Sequence, residues 1–105
     1  MKRPVSIIAS LLLLCQYASA DGIPEPRRYE LLNLLKHDCG SCHGLSLKGG
    51  LGPPLTPTQL QGKPLDFLTA TILYGRTGTP MPPWRPFLSD AEAEWLAKRI
   101  KRGVQ

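Results

Sequence analysis

Five consecutive residues, Cys39-Gly40-Ser41-Cys42-His43, constrain this chain more than any other part of its sequence. Two cysteines three positions apart, followed at once by a histidine, form the C-x-x-C-H run of covalent c-type haem attachment. Thiols at that spacing reach the two vinyl groups on one edge of a porphyrin. The histidine then lies under the iron and offers a ring nitrogen as axial ligand. A chain of this kind wraps around its cofactor, which carries the chemistry while the protein holds, tunes and presents it.

Other readings of the same residues are less well supplied. A thioredoxin-like redox couple needs a β-α-β context, and no strand-like alternation surrounds this pair. Half a zinc site would need further ligands, yet the remainder of the chain holds one other histidine, His37, and no second cysteine pair. A disulfide between Cys39 and Cys42 would close a very small loop and staple little.

The N-terminus reads as an export signal. Lys2 and Arg3 form a short basic region, residues 5–14 are mostly apolar, and Ala18-Ser19-Ala20 fits a small-residue cleavage site. Residues 1–20 are therefore expected to be a cleaved signal peptide, with residues 21–105 as one monohaem domain in the periplasm. The apolar stretch is well short of the ~20 residues of a spanning helix, so no stable membrane anchor is expected. Lipid anchoring at Cys15 is disfavoured because Leu12-Leu13-Leu14 stands where a small residue should precede the cysteine. Cleavage also removes Met1 and Cys15, leaving Cys39, Cys42 and Met81 as the sulfur-bearing residues.

Loss of Lys2 and Arg3 with the leader reduces the formal charge from +5 to +3. No basic stripe interleaved with aromatic residues is present, so a nucleic-acid role is not indicated. The cluster Lys98, Arg99, Lys101 and Arg102 falls at a helix C-terminus, where the helix dipole favours cations. A chain this short makes one domain with a small core, expected to be monomeric and to need a staple. Haem would be that staple, which predicts a largely unfolded apoprotein.

The fold class expected is all-α. A first helix is predicted over Pro26–Asp38, with Gly40 and Ser41 then letting the chain wrap around the haem edge. Gly44–Pro57 reads as a loop, Pro64–Tyr74 as a second helix stopped by Gly75, and Arg76–Pro86 as irregular. The last helix is the best signalled: Ser89 and Glu92 form a capping box, and Trp95, Leu96 and Ile100 lie on one side.

Met81 lies in Thr79-Pro80-Met81-Pro82-Pro83-Trp84, between prolines whose φ is fixed. That setting suits a thioether that must reach a metal without relaxing away, and makes Met81 the candidate second axial ligand opposite His43. The alternative ligand, His37, lies two residues from Cys39 and reads as solvent-facing. Trp84 either donates its indole N–H to a haem propionate or packs under the loop. Ligation by His43 and Met81 closes the iron to oxygen and peroxide. It points to outer-sphere electron transfer and not to catalysis, whereas a small peroxidase would need an open site.

With these residues in view, the chain resembles the class I cytochromes c over nearly all of residues 21–105. The matching features are Cys39-Gly40-Ser41-Cys42-His43, Gly52-Pro53-Pro54-Leu55, the Met81 loop and a helix at each end. The resemblance implies three to four helices around one covalent haem c, with Pro53 giving its carbonyl to the N–H of His43. It also implies terminal helices that cross, bringing Leu31 and Leu35 near Leu96. The family often has a small residue at position 31 and an aromatic at 99. Leu31 and Arg99 depart from that, and Trp95 is the candidate replacement aromatic.

A narrower match runs through Lys36–Leu45, Leu47–Pro57 and Gly78–Leu88. These segments resemble the cytochrome c55X group, small periplasmic cytochromes found with cytochrome cd1 nitrite reductase in denitrifying bacteria. The similarity implies electron donation to that reductase, or a role as an assembly factor in maturation of its d1 haem.

Overall fold

Pro24, in extended geometry, sets the start of helix α1 (Glu25–Leu34). Pro26 occupies the first turn, where a missing N–H leaves nothing unpaired, and Glu25 sits at the positive end of the helix dipole. The computed structural model describes residues 22–104; the signal peptide and cleavage site expected from the sequence lie outside them. The helix does not stop at Asp38, as the sequence predicts. It continues through a π-helical turn (Leu35–Cys39) and a short helix, α2 (Gly40–His43), so the C-x-x-C-H run is itself helical. Gly40 takes ordinary right-handed geometry (φ −64°, ψ −22°), and the Ser41 hydroxyl donates to the Asp38 carbonyl at 2.7 Å. The stop is Gly44, whose φ of +90° no helix can accommodate.

A short helix, α3 (Pro57–Leu60), follows the glycine-rich loop. Thr56 caps it, its hydroxyl accepting the Gln59 N–H at 3.3 Å, and Pro57 fills its first position. This helix was not expected, because four residues carry too little periodicity to register. Helix α4 (Leu65–Tyr74) starts after Pro64 and ends at Gly75. Helix α5 (Asp90–Arg102) has both halves of the expected capping box, with Ser89 and Glu92 satisfying one another's backbone N–H groups. Among the described residues there is no β-strand.

One apolar cluster joins these helices. It contains Leu31 and Leu35 from the first helical stretch, Leu73 from α4, and Ala93, Leu96 and Ile100 from α5. Leu31, Leu35 and Leu96 are its most buried large side chains, each worth about 1.5–3 kcal/mol relative to exposure. Arg27 of α1 pairs with Glu92 of α5, and its guanidinium also donates to the Phe87 carbonyl at 3.0 Å. The terminal helices thus meet through a shared core and an ion pair. Small side chains on α5, Ala93 and Ala97, are fully buried, and Ala93 belongs to the same apolar cluster as Leu31. Trp95 packs against the core, and the Arg99 guanidinium lies 5.7 Å from the centroid of its ring.

Candidate haem site

His43 closes α2 and is 9% exposed. Its Nδ1 lies 2.7 Å from the Pro53 carbonyl oxygen. A carbonyl only accepts, so Nδ1 carries the proton and donates it. Nε2 is left as the unprotonated nitrogen, the one able to bind a metal, and the bond fixes the ring's orientation.

The loop between them is tied back onto the motif. The Gly49 N–H donates to the His43 carbonyl and the Gly52 N–H to the Cys42 carbonyl, both at 2.8 Å. Leu47 anchors the loop from beneath, buried and in left-handed geometry (φ +58°), with its carbonyl accepting the Leu55 N–H at 2.8 Å. Gly52 lies flat against the imidazole. A Cβ there would stand 2.8 Å from Cε1 and 2.9 Å from Nδ1 of His43. In the sequence Gly52 shows only as part of a loop; the need for glycine comes from contact with the ring of His43 in the preceding helix, which no local pattern signals.

Cys39 and Cys42 stand at i and i+3 on the helical stretch, near one another on its surface. They are not bonded to each other. Cys39 is half-buried and packs against the core, whereas Cys42 is exposed. Burial, reinforced by the charge of Asp38, pushes the Cys39 thiol up to about 11. Among the described residues no three His, Cys, Asp or Glu side chains form a metal-holding group, and the zinc reading lacks its ligand set.

Met81 is half-buried on a loop fastened to the end of α4. The Arg76 N–H donates to the Met81 carbonyl at 3.3 Å. Beyond it, the Trp84 and Arg85 N–H groups donate to the Ile72 and Leu73 carbonyls at 3.1 and 3.0 Å. Thr79 adds its hydroxyl, which donates to the Arg76 carbonyl at 2.7 Å. Gly75 permits this closeness: its φ is +68°, and a Cβ would meet the Met81 carbonyl oxygen at 2.6 Å. The prolines therefore act together with the exposed carbonyls at the C-terminal end of α4. Trp84 packs against the core and against Phe87, ring centroids 5.8 Å apart. His37 is exposed in the π-helical turn.

The donor set fits covalent haem: two thiols on one helical stretch, an imidazole with its far nitrogen already engaged, and a thioether on a separately braced loop. Among the described residues no helix is long and apolar enough to cross a membrane.

Comparison with known proteins points the same way. The family model described as cytochrome c oxidase, cbb3-type, subunit III matches residues 30–98. Cytochrome c55X of Pseudomonas aeruginosa is 56% identical over 85 residues, covering 80% of this chain and 71% of that protein. The solved c-type cytochrome NirC superposes with a TM-score of 0.75 at 54% identity, covering 76% of this chain and 94% of that one. Dihydro-heme d1 dehydrogenase NirN, solved in complex with DHE, matches with a TM-score of 0.64 at 32% identity. That match covers 70% of this chain and 16% of NirN.

Proposed function

The chain belongs to the cytochrome c55X family of c-type cytochromes, carriers of electrons and not enzymes, and from that premise we propose a periplasmic, monomeric, monohaem donor of single electrons to cytochrome cd1 nitrite reductase. Cys39 and Cys42 would form the two thioether links. His43, through Nε2, and Met81, through its sulfur, would bind the haem iron. Haem c supplies reversible one-electron chemistry when bound, and a thioether ligand favours its reduced state relative to a second histidine.

The chain's own residues set the conditions for that chemistry. The Pro53 carbonyl strengthens His43 as a donor by sharing its Nδ1 proton. The backbone bonds from Arg76, Trp84 and Arg85 keep the Met81 loop in place. A ligand set that does not rearrange keeps the structural cost of each electron transfer small. The observation that carries the reading is the 2.7 Å contact between His43 and Pro53, because it commits one ring nitrogen and frees the other.

The test is rapid mixing of the reduced holoprotein with cytochrome cd1 nitrite reductase. Fast oxidation is expected, and its absence would remove the donor role. Met81→Ala should abolish the thioether-to-iron charge-transfer band of the oxidised protein; an unchanged spectrum would remove Met81 from the site. The likeness to a dehydrogenase of dihydro-heme d1 favours a second reading, in which the protein serves as an assembly factor accepting electrons released during d1 haem maturation. Reduction of the oxidised protein by such a dehydrogenase with its substrate would distinguish that role.

A further inference from the structure

The π-helical turn Leu35–Cys39 runs into the motif and bears on which of its last residues turns inward, toward the loop that carries Pro53. Counting from Leu35, a straight α-helix brings positions four and seven later back to the same face, which are Cys39 and Cys42. The fully buried residues are Gly40 and His43, each one position further on, while Cys39 is half-buried against the core and Cys42 and Asp38 are exposed. The Gly40 N–H donates to the Leu35 carbonyl, five residues back and not four. One extra residue is therefore held within this turn, and everything after it is turned back by about 100° relative to an uninterrupted helix.

We infer that the π-helical turn is a positioning device, which holds one residue in excess so that His43, not Cys42, points inward to meet Pro53. The side chains of Lys36, His37 and Asp38 are exposed and have no part in this; the residue count alone matters. The inference rests on the reading of His43 as an axial ligand for its functional meaning, but the register it describes is a property of the polypeptide.

The test follows from an asymmetry in that count. Deleting His37 alone removes the excess residue. The segment then closes as straight α-helix, with Gly40 and His43 still on the face set by Leu35. Deleting Lys36 and His37 together, or inserting one alanine between them, leaves no register that turns His43 inward. The readout is the Nδ1 proton resonance of His43 in reduced, 15N-histidine-labelled holoprotein, which reports the bond to Pro53 directly. The single deletion and His37→Ala should keep it; the double deletion and the insertion should lose it. Loss of the resonance or failure to fold in the single deletion would overturn the inference. So would its loss in His37→Ala, or its survival in the insertion or the double deletion. Failure of the ligand reading looks different: His43→Ala would then leave the visible spectrum unchanged, whatever the register variants do.

Discussion

Replacing Gly52 by alanine isolates the contact on which the His43 environment depends. Gly52 does not have the positive φ that penalises a side chain, so the perturbation is steric. The new Cβ would stand 2.8 Å from His43 Cε1, about 1 Å inside an optimal carbon–carbon separation of ~3.5–4.0 Å. Neither partner can withdraw freely. The loop is held by the Gly52 N–H on the Cys42 carbonyl at 2.8 Å and by the Gly50 N–H on the Gly52 carbonyl at 3.0 Å. The ring is held by the Pro53 carbonyl at 2.7 Å. Overpacking costs about 1–3 kcal/mol, and a buried hydrogen bond sacrificed to relieve it about 1–3 kcal/mol more. The expected loss is therefore about 2–6 kcal/mol, which at ~4–8 °C per kcal/mol lowers the melting temperature of so small a domain by at least ~8 °C. Guanidinium unfolding of the holoprotein, followed by far-UV circular dichroism and Soret absorbance, measures it. Gly40→Ala is the internal control: its Cβ meets nothing closer than 3.4 Å, and alanine is the better helix former by about 1 kcal/mol. A Gly52→Ala protein within about 0.5 kcal/mol of wild type, with its His43 Nδ1 resonance unmoved, would refute the argument.

Three further outcomes are expected. Glu92 lies below its ordinary value of 4.5, chiefly because Arg27 hydrogen-bonds it and secondarily through the Ser89 N–H. Its contribution is thus present above about 4.5 and lost as pH falls through the lower folded-state value; Glu92→Gln should cost about 1 kcal/mol at pH 7, with the difference from wild type closing in acid, and a constant difference down to pH 2 (as an order-of-magnitude limit) would count against the ion pair. Gly75→Ala should push the Met81 loop off the end of α4 and weaken the thioether charge-transfer band without touching Met81 itself; an unaltered band would show that the loop does not depend on this approach. Removing both haem links with Cys39→Ser/Cys42→Ser should abolish most of the helical circular dichroism, since so short a chain has little core of its own, and a fully helical apoprotein would show that it does not need the cofactor to fold.

The motif, the Met81 loop, the capping box of α5 and the approximate extent of α4 were all legible in the sequence. Each is written in residues close together along the chain: a spacing of thiols, fixed φ angles beside a thioether, a serine three residues before a glutamate, leucines at helical intervals. Short-range sterics and hydrogen bonding decide such features before the chain closes. Other features waited for the tertiary structure. The first helix runs on through the motif because Gly40, free to break it, has a helical place to occupy once Leu35 is buried. A π-helical turn then sets which motif residue faces inward. Gly52 and Gly75 are needed because the His43 ring and the Met81 carbonyl come against them. These are requirements of close approach between distant segments. The sequence names the atoms that can ligate iron, while packing decides which way they face.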